Sequence, residues 1–383
     1  MGRQTARLMY KGEDHKNLYF PAKLEEHNND VLMMHHELYK GSKLIWKKLP
    51  PNFMLIGKTG DSNAQYVYES VTGDKFDNLG YIHGNFGACH LYKVGNTLFS
   101  DGNNKILYSE NWFSWKVLDS NLYNGEGIVS IGTHNEKLLI YTKKHIFLYD
   151  LNSNTSNIIH TFDVESYLTN ALNICHCVEK NGTTVVVHAY RSDGQKIQLI
   201  TIQDSKVVKT TGGNDNGNSA YSLAANENYF IFCGSVYLLN SSSDYDTASY
   251  VYISSDGITW KKKGTNNYLV AHMSNKLIFF KKKFYSIDHR KAKFVVSISE
   301  DGSNIELIDC NIDLTDDSSS VTRNFCIATD DYIYYAKYDN DTDKWSLIRF
   351  DNFQSDSYET LIDDAQISTG IYFDYDKEIA NNT

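Results

Sequence analysis

The chain is short of proline, arginine, secretion signals and long apolar runs. Only three of its 383 residues are proline (Pro21, Pro50 and Pro51) and only six are arginine. All the prolines fall within the first 51 residues, which marks a boundary near "KKLPPNF". No run of about 18 apolar residues occurs, so no membrane-spanning helix and no membrane insertion are expected. The opening "MGRQTARLMYKGEDHKN" lacks the apolar core of a secretion signal, which sets the expectation of synthesis in a cytoplasm. Cys175-x-Cys177 lacks the two-residue gap and the second pair of a zinc site, and the context gives no support for disulfides.

Basic charge is scarce beyond the boundary. Residues 1–51 hold nine Lys/Arg against six Asp/Glu, whereas the remainder holds 28 against 41. Nucleic acid needs a basic footprint, so a nucleic-acid partner is not expected. Asparagine and tyrosine are abundant instead, at 36 and 28 residues. Helical periodicity is almost absent after the first 50 residues.

What the chain does have is a repeat. "ACHLYKVGNTLFSD", "IVSIGTHNEKLLIYT", "NICHCVEKNGTTVVVHAY", "YSLAANENYFIFCGS", "LVAHMSNKLIFFKK" and "FCIATDDYIYYAKY" each read as strand, turn, strand. The turns centre on Asn96, Asn135, Asn181, Asn226, Asn275 and Asp331, at spacings of 39, 46, 45, 49 and 56. Four strands per unit of this length predict the blades of a β-propeller. Small residues on each first strand (Ser130, Gly132, Ala224, Ala225, Ala271, Ala328) suit the crowded centre of such a ring. Six units are whole. The strands of residues 53–79 and a last strand near 366–375 together make a seventh, and their pairing removes an open edge. The expected fold is thus all-β, a propeller of about seven four-stranded blades over residues 52–383, with six or eight as alternatives. Residues 1–51 are expected to form a short separate N-terminal module.

A second pattern lies downstream in the units. "SVTGDKFD" from Ser70, "SENWFSWK" from Ser109, "SSDGITWK" from Ser254 and "SEDGSNIE" from Ser299 share a spacing. Asp or Asn caps the turn amides, Gly accepts a positive φ, and the large residue at the end fills the gap between sheets. These turns resemble the Asp-box hairpins of sialidase-type propellers, most closely at Ser254–Trp260. The resemblance implies architecture, with the boxes on the face opposite the active-site face. Trp115 and Trp260 are read as structural plugs.

The segment "ELYKGSKLIWKKLPP" resembles the N-terminal modules of bacteriophage tail and contractile-tail bacteriocin (tailocin) proteins, through Tyr39, Gly41, Leu44, Trp46 and Lys47. That resemblance implies a receptor-binding or baseplate protein carried in multiple copies on a particle and released by lysis. Residues 1–51 would then dock to other tail or baseplate proteins, with Leu44, Ile45 and Trp46 as the apolar anchor.

Sialidase chemistry needs an arginine triad and a tyrosine nucleophile. Only Arg191, Arg290, Arg323 and Arg349 lie in the body, and Arg349 in "SLIRFD" reads as facing solvent. Catalysis is therefore not expected, and a glycan-cleaving enzyme is the alternative. The loops between second and third strands, with the links between blades, share one face. There Asp101, Asn103, Tyr123, Arg191, Asp193, Asp244, Tyr245, Asp246, Asp288 and Arg290 offer carboxylates, amides and rings suited to a host cell-surface saccharide. No cofactor is expected beyond a possible calcium ion at Asp339, Asp341 and Asp343. That site would lack the sixth-position Gly and twelfth-position Glu of an EF-hand loop. The lysine runs 261–263 and 281–283 read as solvated strand edges.

Overall fold

A computed structural model describes residues 19–23, 30–34, 37–40, 43–47, 52–59, 64–84, 90–110, 114–166, 177–191, 195–215, 221–234, 236–237, 249–266, 276–287, 294–314, 325–339 and 341–373. By compactness the chain divides into two units. The first comprises Met1–Asn52, Val71–Gly73 and Phe373–Thr383, and the second Phe53–Ser70 with Asp74–Tyr372. The smaller unit contains two antiparallel hairpins, Tyr19–Lys23 with Asp30–Met34 and Glu37–Lys40 with Lys43–Lys47. Leu44, Ile45 and Trp46 lie on the last of these strands.

The larger unit is a β-propeller of seven antiparallel blades. Blade 1 runs His90–Val94, Thr97–Gly102, Lys105–Ser109 and Lys116–Val117 from the centre outward. Blade 2 (Ile128–His134 to Thr155–Thr161), blade 3 (Cys177–Lys180 to Lys206–Asp215) and blade 4 (Tyr221–Ala225 to Lys261–Asn266) repeat the order. So do blade 5 (Lys276–Phe280 to Ile305–Asp309) and blade 6 (Cys326–Ala328 to Glu359–Asp363). Blade 3 gains a fifth strand, Val236–Tyr237, which pairs with its outer edge at Asn214 and Asp215.

Blade 7 is assembled from both ends of the unit, as the leftover strands predict. Ala365–Tyr372 is its inner strand and pairs with Phe53–Thr59, followed by Ala64–Ser70 and Asp77–Gly84. The register runs from Ala365 opposite Thr59 to Tyr372 opposite Phe53. Ser368 Oγ reinforces it by donating to the Ile56 carbonyl at 3.0 Å.

The small residues of the inner strands are explained by how closely neighbouring strands approach. A Cβ on Gly132 would sit 2.6 Å from the Cβ of Cys177 on the next blade's inner strand. Cys177 and Cys326 are both buried at this centre. Gly132→Ala should therefore cost about 1–3 kcal/mol through overpacking. Denaturant titration of the double variant with Cys177→Gly should recover most of that loss, since the second change removes the clashing atom.

Blade 5 departs from the sequence reading. Its inner strand is Lys276–Phe280, and its first turn is Lys281-Lys282, with φ of 44° and 65°. The expected turn at Asn275 and the expected inner-strand Ala271 lie outside the described residues. The lysine run 281–283 is thus a tight turn plus the start of a strand. Among the described residues no helix is long and apolar enough to cross a membrane.

Candidate functional site

Four-stranded blades with antiparallel strands sort their turns onto two rims. Turns joining first to second and third to fourth strands share one rim. Turns joining second to third, with the links between blades, share the other.

The first rim is built mostly of short turns closed by their own side chains, the longest connection there being 351–358. Asp256 Oδ1 accepts from the Ile258 and Thr259 amides at 2.8 and 2.7 Å and from Ser254 Oγ at 2.9 Å. Burial pushes this carboxyl up, but those hydrogen bonds outweigh it and hold it below the usual carboxylate range. The indole of Trp260, 5% exposed, donates to the Gly257 carbonyl at 3.0 Å. Gly257 takes a φ of 71°, and its carbonyl also accepts from Thr201 Oγ1 of blade 3 at 2.5 Å. The turn at Ser299 is made alike, and the Ser303 and Ser299 groups hold Asp301 at about 2. Lys180 Nζ ties this rim across blades by donating to the Asn228 and Ser255 carbonyls at 2.9 and 2.7 Å. Trp115 occupies the corresponding place in blade 1 but is only half-buried.

Arg349 also belongs to this rim, and its expected solvent-facing orientation is corrected. Its side chain is 11% exposed, paired with Asp74 of blade 7 and with Glu359. Its guanidinium lies 4.5 Å from the Tyr332 ring centroid. It clamps the last continuous blade to the split one. A middle strand is covered on both faces by neighbouring blades, so alternation along it cannot assign a solvent side.

By strand order, the connections that leave from and return to the second rim are 118–127, 162–176, 235–248, 267–275, 288–293 and 310–325. Asn103 is exposed here in the turn of blade 1, with a φ of 47°. Arg191 ends the second strand of blade 3, opposite Gln195. Asp193, Asp244, Tyr245, Asp246, Asp288 and Arg290 lie outside the described residues.

Two residues expected on this ligand face are turned into the protein. Asp101 is 0% exposed on the second strand of blade 1. Its carboxylate accepts from the His90 amide at 2.9 Å and lies 3.0 Å from His90 Nδ1. Tyr123 sits in a 3-10 turn, Ser120–Tyr123, capped by the Asp119 side chain, and packs in the core with Val94, Phe99 and Ile106. Burial, then the Asp119 charge, pushes its hydroxyl above the ordinary value.

The three carboxylates read as a possible calcium site do not converge. Asp339 accepts from the Asp341 amide at 3.0 Å and from Thr342 Oγ1 at 2.9 Å. Asp343 accepts from the Tyr338 hydroxyl, and Asp341 is exposed. Among the described residues no group of three His, Cys, Asp or Glu side chains is placed to hold a metal ion.

The sequence reading missed the polar pairs that anchor the second rim. Glu126, in the link to blade 2, accepts from Thr142 Oγ1 at 2.5 Å and lies 2.6 Å from His145 Nδ1. Their residues are 16 and 19 positions apart, and only the hairpin register of blade 2 brings them together.

No protein-family model matches the chain, and no curated protein sequence is similar to it. Solved structures resemble it in fold. A Mycobacterium tuberculosis puromycin-hydrolyzing peptidase is 9% identical with a TM-score of 0.51, over 82% of this chain and 52% of that one. The β-propeller domain of the Trilobed protease from Pyrococcus furiosus is 13% identical with a TM-score of 0.48, over 82% and 94%. Apo AztD from Citrobacter koseri is 11% identical with a TM-score of 0.45, over 83% and 98%. Likeness at such identities concerns the fold alone.

Proposed function

We infer that the propeller is a non-catalytic binding domain for a cell-surface saccharide, carried as a receptor-binding or baseplate protein of a phage tail or tailocin. The observation that carries this reading is the contrast between the two rims. One is closed mostly by short turns whose polar groups are engaged by their own backbone or by a neighbouring blade. The other gathers the long polar connections, rich in Asp, Asn, Ser and Tyr. Carboxylate and amide groups beside aromatic rings match sugar hydroxyls and sugar faces. Arg349 is already engaged by Asp74 and Glu359 on the opposite rim, which disfavours an arginine triad for catalysis.

Residues 1–51 complete the reading as the attachment segment, with Leu44, Ile45 and Trp46 as its anchor. Many copies on one particle would turn weak single-site binding into firm adsorption through effective concentration. The acidic body disfavours nucleic acid as a partner.

The test is retention of the purified chain on bacterial surface polysaccharides. Retention without released reducing sugar is expected, and release would favour the glycan-cleaving alternative. Alanine at Asp244, Tyr245 and Arg290 together should lower retention at least tenfold while leaving the melting temperature unchanged. Equal retention by wild type and triple variant would remove those residues from the site.

A further inference from the structure

Residues 162–166 begin the link from blade 2 to blade 3 and lie along the second strand of blade 3. Ser166 forms an antiparallel bridge with Tyr190, and its Oγ donates to the Ala189 carbonyl at 3.0 Å. The Phe162 and Ser166 amides donate to the Lys144 and Lys143 carbonyls at 2.8 and 2.9 Å.

One imidazole joins this strap to both blades. His188, 1% exposed, stacks on Phe162 with ring centroids 3.7 Å apart and planes at 5°. Tyr190 stacks on it at 5.3 Å and 18°. Its Nε2 lies 3.1 Å from the Val164 carbonyl of the strap, and its Nδ1 lies 2.9 Å from the Tyr141 hydroxyl of blade 2. A carbonyl can only accept, so Nε2 carries the proton and Nδ1 accepts from Tyr141. The neutral Nε2–H tautomer therefore satisfies both partners. A second proton would make Nδ1 a donor, force the Tyr141 hydroxyl to turn its own proton away, and place a charge where water does not reach.

The surrounding groups offer that charge little compensation. His160, on the outer strand of blade 2, is an imidazole pushed below its ordinary value by burial, against the pull of Asp163. Asp163 and Glu165 of the strap are exposed, and Glu165 pairs with Lys144 at 3.2 Å. Neither carboxylate is hydrogen-bonded to His188 among the described residues.

We propose that His188 is a proton-operated latch, holding the strap 162–166 in place against both blade 2 and blade 3 while neutral and releasing it when protonated. Burial drives its pKa from 6.5 to about 4, opposed by the hydrogen bond to the Val164 carbonyl and aided by His160. Between those values the released form binds more protons than the closed form. The closed form is fully favoured above 6.5, loses ground as pH falls, and has lost this contribution below about 4. From pH 7 to pH 4.5 the opening equilibrium should rise roughly 50-fold.

Hydrogen exchange on the full chain tests this, with protection factors corrected for intrinsic rates at pH 7 and pH 4.5. In wild type the Phe162 and Ser166 amides should lose roughly 50-fold protection while the core amide of Val186 keeps its own. In His188→Gln, which offers a donor and an acceptor but does not titrate, the strap should show no such pH dependence. His160→Gln should keep the wild-type response, and it decides the matter should His188→Gln fail to fold. An unresponsive wild-type strap, an equal response in His188→Gln, a lost response in His160→Gln, or joint loss at Val186 would each overturn the latch.

Discussion

Deleting residues 364–383 should abolish cooperative folding of the propeller rather than trim a tail. Ala365–Tyr372 is the inner strand of blade 7, and Ala365 and Ile367 are fully buried within it. Without it, Phe53 and Leu55 lose the cover of Ile367 and Tyr372, in the cluster they share with Phe325 and Tyr334 of blade 6. The ring would be left with an unpaired inner edge along Phe53–Thr59. Circular dichroism melts should show a broad, non-cooperative loss of signal. Unchanged cooperative melting of the truncated protein would show that the ring does not depend on this closure.

Replacing Trp260 by alanine should cost about 3–5 kcal/mol, the usual range for losing a buried Trp. The indole belongs to the buried cluster that joins Val185 of blade 3 to Tyr252 of blade 4, and it fixes the Gly257 carbonyl. Trp115→Ala should cost less, because that side chain is only half-buried and its indole nitrogen has no hydrogen-bond partner among the described residues. Chemical denaturation of both variants gives the comparison. Saccharide retention by the folded fraction of Trp260→Ala should match wild type. Selective loss of retention at normal stability would place the ligand on the short-turn rim.

The architecture was readable because its punctuation is local. Asn135 and Asn181 adopt positive φ in two-residue turns, and such turns fix hairpin register without help from distant residues. Closure was readable because strands at 53–79 and 366–375 had no other partner. Blade 5 was misread because "KLIFF" can pair across Ser274-Asn275 or across Lys281-Lys282, and both hairpins satisfy alternation. Only packing against the inner strands of blades 4 and 6 chooses between them.

The candidate site was less readable, for reasons of burial rather than chemistry. Asp101 stands two residues before its turn, still within the strand, where its side chain meets His90. Tyr123 follows a polar stretch, but the cap from Asp119 folds that stretch into a turn that tucks the ring inward. Arg349 and His188 lie on middle strands covered by neighbouring blades, so period-two alternation carries no inside-outside signal there.

The most direct test of the binding account is a hydrogen-exchange footprint of the full chain with and without a retained surface polysaccharide. Protection should appear at 190–196, 240–249 and 286–293, with the turns 255–260 and 300–304 unchanged. Protection confined to those short turns, with the long connections unaffected, would contradict the assignment of the ligand face.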